Sequence, residues 1–318
     1  MNSFKCSDYL LNSTDPELAY RRRTNDQKIT IPWGQRKLLL TTVQFLTRFW
    51  DPAITPKPII VYAGAAPGSN IAVVSELFPE MEFHLYDPMK FKVEGSEKIK
   101  LYCQYFMDED ANKWANRNDV FFISDIRTAD YRILSEYDNE KNIWQDMEMQ
   151  SRWVKIIKPQ SAHLKFRLPY PNKGMNQKLT YLSGYIFKQP WAPQTSTETR
   201  LVPYPTYEEK EYDTVRYESQ MFYHNTVIRE KARYEHEIIN DGELKDDYDS
   251  SMEISIICDY LDKRNLDRTV SNILHYSRLF TQRLNEGKPE KSHYTLQKLR
   301  EDPFLIKRKF KSPDDDDF

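Results

Sequence analysis

Four residues far apart in the chain, Lys37, Asp125, Lys165 and Glu198, have the types needed to move a proton at a poorly reactive hydroxyl. Each stands in a context that makes sense if the four converge. Lys37 lies in Gly34-Gln35-Arg36-Lys37-Leu38, at the head of an apolar helical pattern. Asp125 ends the strand-like run Val120-Phe121-Phe122-Ile123-Ser124. Lys165 sits inside the run Ala162-His163-Leu164-Lys165-Phe166, and Glu198 follows Pro190-Trp191-Ala192-Pro193. A lysine inside an apolar strand is expensive to bury without a partner, so Lys165 is the most telling of the four. Two lysine amines oriented by two carboxylates can steer a hydroxyl oxygen toward an electrophile, and the one that is deprotonated can take its proton. Taken singly, Lys37 reads as a solvated surface lysine, Asp125 as a helix cap, and Glu198 carries no signal.

A second cluster reads as a cofactor site. The turn Gly64-Ala65-Ala66-Pro67-Gly68 follows a short apolar strand at Pro58 to Tyr62 and opens a helix over Ser69 to Phe78. Small residues let the backbone approach a ligand, and the helix start presents free N–H groups. Asp87 closes the next strand, Phe83-His84-Leu85-Tyr86, where an acid can bind both hydroxyls of an adenosine ribose. The turn is neither Gly-x-Gly-x-x-Gly nor a Walker loop, and it lacks the lysine that reaches phosphates. S-adenosylmethionine, with no pyrophosphate to cradle, fits it better than NAD or ATP.

These residues require a frame. Leu38, Leu39, Val43, Leu46 and Phe49 repeat at helical spacing until Pro52. Further strands are expected at Ile99 to Tyr102, Val120 to Ser124 and Ala162 to Phe166, with a helix from about Ile143 to Ile157 before the turn Lys158-Pro159-Gln160. Strands alternating with helices give an α/β fold, a mostly parallel sheet with helices on both faces. Residues 200–225 read as a further extended, tyrosine-rich segment. Two amphipathic helices are expected near Met252–Lys263 and Leu266–Leu284, the second stopped by Gly287. The chain therefore divides into an N-terminal arm (1–30), a catalytic body (31–235), a C-terminal helical extension (236–305) and a charge-segregated tail (306–318) with Lys307-Arg308-Lys309 followed by Asp314 to Asp317.

Composition narrows the class. The chain has 318 residues, 39% hydrophobic and 30% charged, enough for one large α/β domain with decorations. No apolar run approaches the ~20 residues of a membrane helix, and the first residues show no signal-peptide pattern. Cys6, Cys103 and Cys258 are too scattered for a disulfide framework or a cysteine-rich zinc site, which favours a reducing compartment. A net charge of −2 excludes a chain that is basic all over but leaves room for a local basic cleft. Its 21 tyrosines serve packing or base stacking according to position.

The motifs together resemble one family, the poxvirus cap-specific mRNA nucleoside-2′-O-methyltransferases, which also serve as the small processivity subunit of viral poly(A) polymerase. The resemblance is carried by Gly34-Gln35-Arg36-Lys37-Leu38-Leu39-Leu40, Val61-Tyr62-Ala63-Gly64-Ala65-Ala66-Pro67-Gly68, Ile123-Ser124-Asp125-Ile126-Arg127 and Leu164-Lys165-Phe166-Arg167-Leu168-Pro169-Tyr170-Pro171. Gln189-Pro190-Trp191-Ala192-Pro193, Glu198-Thr199-Arg200-Leu201, Tyr217-Glu218 and Met221-Phe222-Tyr223 complete it, in family order from about Tyr20 to Asn225.

The resemblance implies a Rossmann-like S-adenosylmethionine-dependent methyltransferase fold and a catalytic tetrad at Lys37, Asp125, Lys165 and Glu198. It implies cofactor contacts at Gln35, Tyr62, Gly64, Gly68, Asp87, Asp125 and the backbone near Met107. The arginine that the family places shortly after the ribose acid is absent from Asp87-Pro88-Met89-Lys90. Cap binding falls on Tyr20 and Tyr170, whose rings would sandwich a cationic 7-methylguanine, and on Glu218 and Asn172, where the family has two acids. Arg167 and Arg200 are expected to hold RNA phosphates. The implied partners are the capped 5′ end of single-stranded mRNA and the catalytic subunit of a poly(A) polymerase, with no membrane. The implied setting is the cytoplasm, in the virus factory or virion of a large DNA virus. Two other methyltransferase chemistries fit poorly: Ser124-Asp125-Ile126-Arg127 stands where adenine methylation uses Asn/Asp-Pro-Pro-aromatic, and no cysteine ends a strand at the site. A non-catalytic or dual-role RNA-binding processivity subunit stays open.

Overall fold

The computed structural model describes residues 9–21, 31–130, 132–171, 174–234, 236, 238, 243–288, 293, 295 and 296. Seven strands form one sheet in the order β3-β2-β1-β4-β5-β8-β7. They are β1 Ile59–Ala63, β2 Glu82–Tyr86, β3 Ile99–Tyr102, β4 Val120–Ser124, β5 Ser161–Phe166, β7 Gly184–Phe187 and β8 Thr199–Pro203. β1 to β5 pair in parallel, β8 runs antiparallel to β5, and β7 antiparallel to β8. Strands β6 (Lys178–Leu182) and β9 (Glu209–Asp213) form a separate antiparallel pair. The strand order reverses between β1 and β4, and the crevice outside their carboxyl ends is where open α/β sheets bind ligands.

Helices cover both faces. α1 (Ile31–Phe49), α2 (Ser69–Leu77), α7 (Tyr248–Lys263) and α8 (Val270–Asn285) share one apolar layer with Ile60, Tyr62, Phe83, Leu85, Phe121 and Ile123. On the other face α3 (Asp108–Lys113), α4 (Glu136–Ile157) and α5 (Thr214–Tyr223) pack with Val61, Ala63, Val120, Phe122, Leu164 and Phe166. Both layers take alternate residues of each strand, the two-sided burial expected of a parallel sheet. α1 is nearly covered all round. Thr41, Thr42 and Gln44 would form its wet face in a two-layer packing, yet they are buried because α7 and α8 lie beyond α1. Among the described residues no helix is long and apolar enough to cross a membrane.

Most expected elements are present, with three differences. α4 begins at Glu136, seven residues before the apolar pattern, because Ser135 caps it by accepting from Asp138 N–H and its first turn is acidic. Thr214–Tyr223, read as extended, is α5, capped by Asp213, which accepts from Arg216 N–H. Its tyrosines favoured a strand reading, but Thr214, Tyr217, Gln220 and Met221 are buried at helical spacing. Strands β6 and β7 carry no sequence signal that singled them out. α5 continues through a π-helical turn, His224–Ile228, into the short α6 (Arg229–Lys231). The tail 306–318 and most of the arm lie outside the described residues.

Candidate active site

Strand alternation explains why the charged residues meet. In β5, Ala162, Leu164 and Phe166 face the α3–α4 layer, so His163 and Lys165 point to the α1 side, where His163 stacks on Phe45. Asp125 continues the phase of Phe121 and Ile123 and reaches the same side. In β8, Leu201 faces α4 and Val202 faces α1, so Arg200 joins the α1 side as the direct cross-strand partner of Lys165. Lys37 descends from α1 onto this group.

The result is a compact cluster of ions. Lys37 Nζ donates to Glu198 Oε1 at 2.5 Å. Lys165 Nζ lies 3.3 Å from Asp125 Oδ1 and 3.5 Å from Glu198 Oε2. Arg200 Nη2 lies 2.7 Å from Asp125 Oδ1 and 3.4 Å from Glu198 Oε1, and its Nε donates to Gln189 Oε1 at 2.8 Å. Gln189 Nε2 in turn donates to the Glu198 carbonyl at 2.9 Å. The side chains of Lys37, Asp125, Lys165 and Glu198 are 11–15% exposed, open enough to meet a substrate and dry enough for charge to act strongly.

The electrostatics follow from burial and mutual pairing. Burial pushes the Glu198 carboxyl up, but Lys165, Lys37 and Arg200 outweigh it and hold the group well below the usual range. Asp125 is likewise raised by burial and lowered more by Arg200 and Lys165. Lys37 is lowered, chiefly by burial, with Glu198 opposing. Three cations face two carboxylates, so with all five ionised the cluster has one positive charge in excess. Release of one ammonium proton balances it.

Arg200 therefore corrects the sequence expectation. It is 1% exposed, with its guanidinium engaged by Asp125 and Gln189, so it is a buried fifth member of the cluster and does not reach out for RNA phosphate. Arg167 is also engaged. Glu140, 3% exposed on α4, holds it through both carboxylate oxygens at 2.8 and 3.0 Å. The Arg167 guanidinium also lies 4.0 Å over the Tyr170 ring. Glu140 accepts the Tyr170 backbone N–H as well, at 2.8 Å. Arg167 thus supports Tyr170 from behind, and a phosphate role would require breaking a paired charge.

The glycine turn adjoins the cluster. Gly64 has φ 78°, and a Cβ there would fall 2.8 Å from the Asp125 carbonyl carbon, so only glycine lets β1 turn so close to β4. Gly68, at φ 77°, caps α2. Asp87 accepts from Ala66 N–H (3.0 Å) and Met89 N–H (2.8 Å), so it holds the turn in place while keeping lone pairs for a ligand. Gln35 Oε1 is buried without a hydrogen-bond partner, which suits a polar ligand, and the buried Asn70 amide lies against the Tyr62 phenol. Tyr62 is 2% exposed beneath the turn, and burial raises its phenol. Met107 caps α3, and its own N–H is taken by Asp110, so its backbone donor is not free for a ligand.

A separate small cleft is lined by Tyr20, Tyr170, Glu218, Phe222, Thr197 and Asn225 among others. Tyr20 is 54% exposed and meets Phe222 edge-on at 5.3 Å. Asn172 lies outside the described residues. Sequence reasoning missed Gln189, Glu140, Thr197 and Asn225. Gln189 and Asn225 stood within or beside the quoted motifs, whereas Glu140 sits in a polar stretch with no signal.

The sequence as a whole matches proteins of known name. It is 27% identical over 284 residues to the cap-specific mRNA (nucleoside-2′-O-)-methyltransferase of Myxoma virus (strain Lausanne), covering 82% of this chain and 80% of that protein. It is 30% identical over 217 residues to the protein of the same name from Fowlpox virus (strain NVSL), covering 62% of this chain and 68% of the relative. A family model described as poly A polymerase regulatory subunit matches residues 7–288, a span that takes in the ion cluster, the glycine turn, the aromatic cleft and helices α1 to α8. On that match the chain belongs to the poly(A) polymerase regulatory subunit family.

Proposed function

We propose that the chain is an S-adenosylmethionine-dependent methyltransferase that modifies the ribose 2′-hydroxyl of the first transcribed nucleotide of capped mRNA; its relatives are named for cap-specific 2′-O-methylation of mRNA. The observation that carries this reading is the shared wall between the glycine turn and the ion cluster: Gly64 abuts the backbone of Asp125, whose side chain pairs with Lys165 and Arg200. A cofactor held by the turn, Asp87 and Gln35 would end beside that cluster. Bound there, S-adenosylmethionine supplies an electrophilic methyl group on a sulfonium. The protein's task is then to orient and deprotonate a hydroxyl.

Lys165 is the residue for that task. Its contacts to both carboxylates are longer than the Lys37–Glu198 contact, so its amine is the less firmly held. As the neutral amine left when the cluster gives up its one excess proton, it steers the hydroxyl oxygen and takes its proton. Asp125 and Glu198 hold the two amines apart from each other's charge, and Lys37 fixes Glu198. The aromatic cleft receives the 7-methylguanine between Tyr20 and Tyr170, with Glu218 facing its positive ring. Incubating the pure protein with labelled S-adenosylmethionine and capped RNA, then mapping the labelled atom, tests the reading. Label on a base, or no transfer, sinks it.

The family match favours a second role, as the RNA-binding regulatory subunit of a cytoplasmic viral poly(A) polymerase. The two are compatible, since an intact ion cluster does not prevent a separate surface from meeting a polymerase. Co-purification with a poly(A) polymerase catalytic chain, and lengthened tails on addition of this protein, test it.

A further inference from the structure

The loop leading to Glu198 begins with a conformation that bulky side chains avoid. Trp191 has φ 58° and is 5% exposed. Such strain persists only where the surroundings over-determine it. Here α7 does so. The Trp191 N–H donates to Asp249 Oδ1 at 2.9 Å, and its indole Nε1 donates to Glu253 Oε2 at 2.8 Å, one turn further along the helix. The next carbonyl, Ala192 O, accepts from Arg229, which is itself paired with Asp249 at 2.7 Å.

Glu253 has a second attachment. It is 0% exposed, and Arg36 grips it through Nε at 2.8 Å and Nη2 at 2.5 Å, while Ser277 Oγ donates at 2.6 Å. Arg36 is the residue before Lys37 in α1. Trp191 is two residues after Gln189, whose side chain binds the Glu198 carbonyl and Arg200. One carboxylate thus reaches both halves of the Lys37–Glu198 pair through their neighbours. Replacing a buried ion pair by apolar residues is often harmless to stability, so stability alone is a weak reason to keep this one. A strained tryptophan clamped to the same carboxylate is a better one.

We infer that Glu253 is a positioning residue for group transfer: from α7 it sets Lys37 through Arg36, and Glu198 through Trp191 and Gln189, without touching the reactants. The inference rests on the methyl-transfer reading above. It assigns the C-terminal helices a direct part in the geometry of the reaction centre.

Trp191→Phe is the cleanest test, because it keeps an aromatic ring at the position while deleting the indole N–H bond to Glu253. The expected result is a kcat for methylation of capped RNA at least tenfold lower. The KM for RNA and the Kd for S-adenosylmethionine should stay close to wild type, and the variant should remain folded at the assay temperature. Glu253→Gln should lower kcat in the same sense, because an amide cannot accept all four donors; Trp191→Phe keeps the test sound if that variant fails to fold. An activity-independent measurement is the pH dependence of acylation at Lys37, which faces Glu198, Arg200, Asp125 and Lys165, read by mass spectrometry in wild type and Trp191→Phe. The midpoint should move by at least half a pH unit. An active wild type with a Trp191→Phe kcat within twofold overturns the inference and leaves the functional reading standing. A wild type that methylates nothing overturns the functional reading, and the inference then stands or falls on whether the Lys37 midpoint moves.

Discussion

Lys165→Ala should abolish methyl transfer while S-adenosylmethionine binding persists, because Lys165 contacts the two carboxylates and not the glycine turn; calorimetry beside a turnover assay separates the two. Asp87→Ala should weaken cofactor binding by about 1–3 kcal/mol, the scale of hydrogen bonds to a charged acceptor. Part of that loss comes from freeing the Ala66 and Met89 N–H groups, and an unchanged dissociation constant would place the ribose elsewhere. Tyr170→Ala should weaken binding of a 7-methylguanosine cap more than that of an unmethylated cap, by about 0.5–2 kcal/mol. Equal losses in fluorescence titrations would mean that the ring only lines the cleft. That Lys37, Asp125, Lys165 and Glu198 meet could be anticipated from sequence because each interrupts an otherwise apolar or proline-bounded run. The direction of a side chain could not. Arg200 and Arg167 looked like phosphate ligands because arginine usually is one, and only their carboxylate partners, Asp125 and the unheralded Glu140, show them turned inward.

The glycine turn ties two strands and a helix to one point. Gly64→Ala should cripple the site, since the added methyl meets Asp125 backbone at 2.8 Å and neither strand can yield. The expected outcome is loss of measurable S-adenosylmethionine binding and a lower thermal midpoint; a variant that binds normally would show that β1 and β4 can separate there. Elements with a strong period or a clear stop were evident in the sequence: β3 and β4 run between the expected residues, α1 ends ahead of Pro52, and α2 ends one residue short of the expected Phe78. Where the structure departs, local chemistry and apolar pattern disagree. α4 starts on a cap and acidic turn before its apolar stripe begins. α5 is tyrosine-rich, and tyrosine favours strands until the burial period of a helix is seen.

At the scale of the molecule, α7 and α8 share the apolar layer of α1, α2 and the sheet. We propose that α7 and α8 are structurally part of the catalytic body, so removing these helices should cost solubility along with activity. Acid should also weaken the whole fold. His163 and His224 are 4% and 3% exposed, and burial holds both well below the ordinary histidine value. The unfolded chain takes up protons below about pH 6.5 where the folded one does not, so stability falls with pH. The loss is about 1.4 kcal/mol per pH unit for each histidine. Asp125 and Glu198, whose folded values are depressed, contribute stability present above the ordinary carboxylate range and lost only at lower pH. Urea unfolding at pH 7, 6 and 5 should show the decline, and His224→Phe should remove about half of it. A flat profile would contradict the burial of these rings as neutral groups. The segment carrying Tyr20 has a different kind of consequence. It is stitched to β7 through Tyr9 and Leu11, to Lys188 through Asp15, and to α5 through Gln220, partners 173 and 208 residues away along the chain in the last two cases. On the ribosome this stretch emerges early and waits unpaired until α5 has been made. The aromatic cleft is therefore among the last features to assemble in a newly made chain, and a product cut short before α5 would lack it.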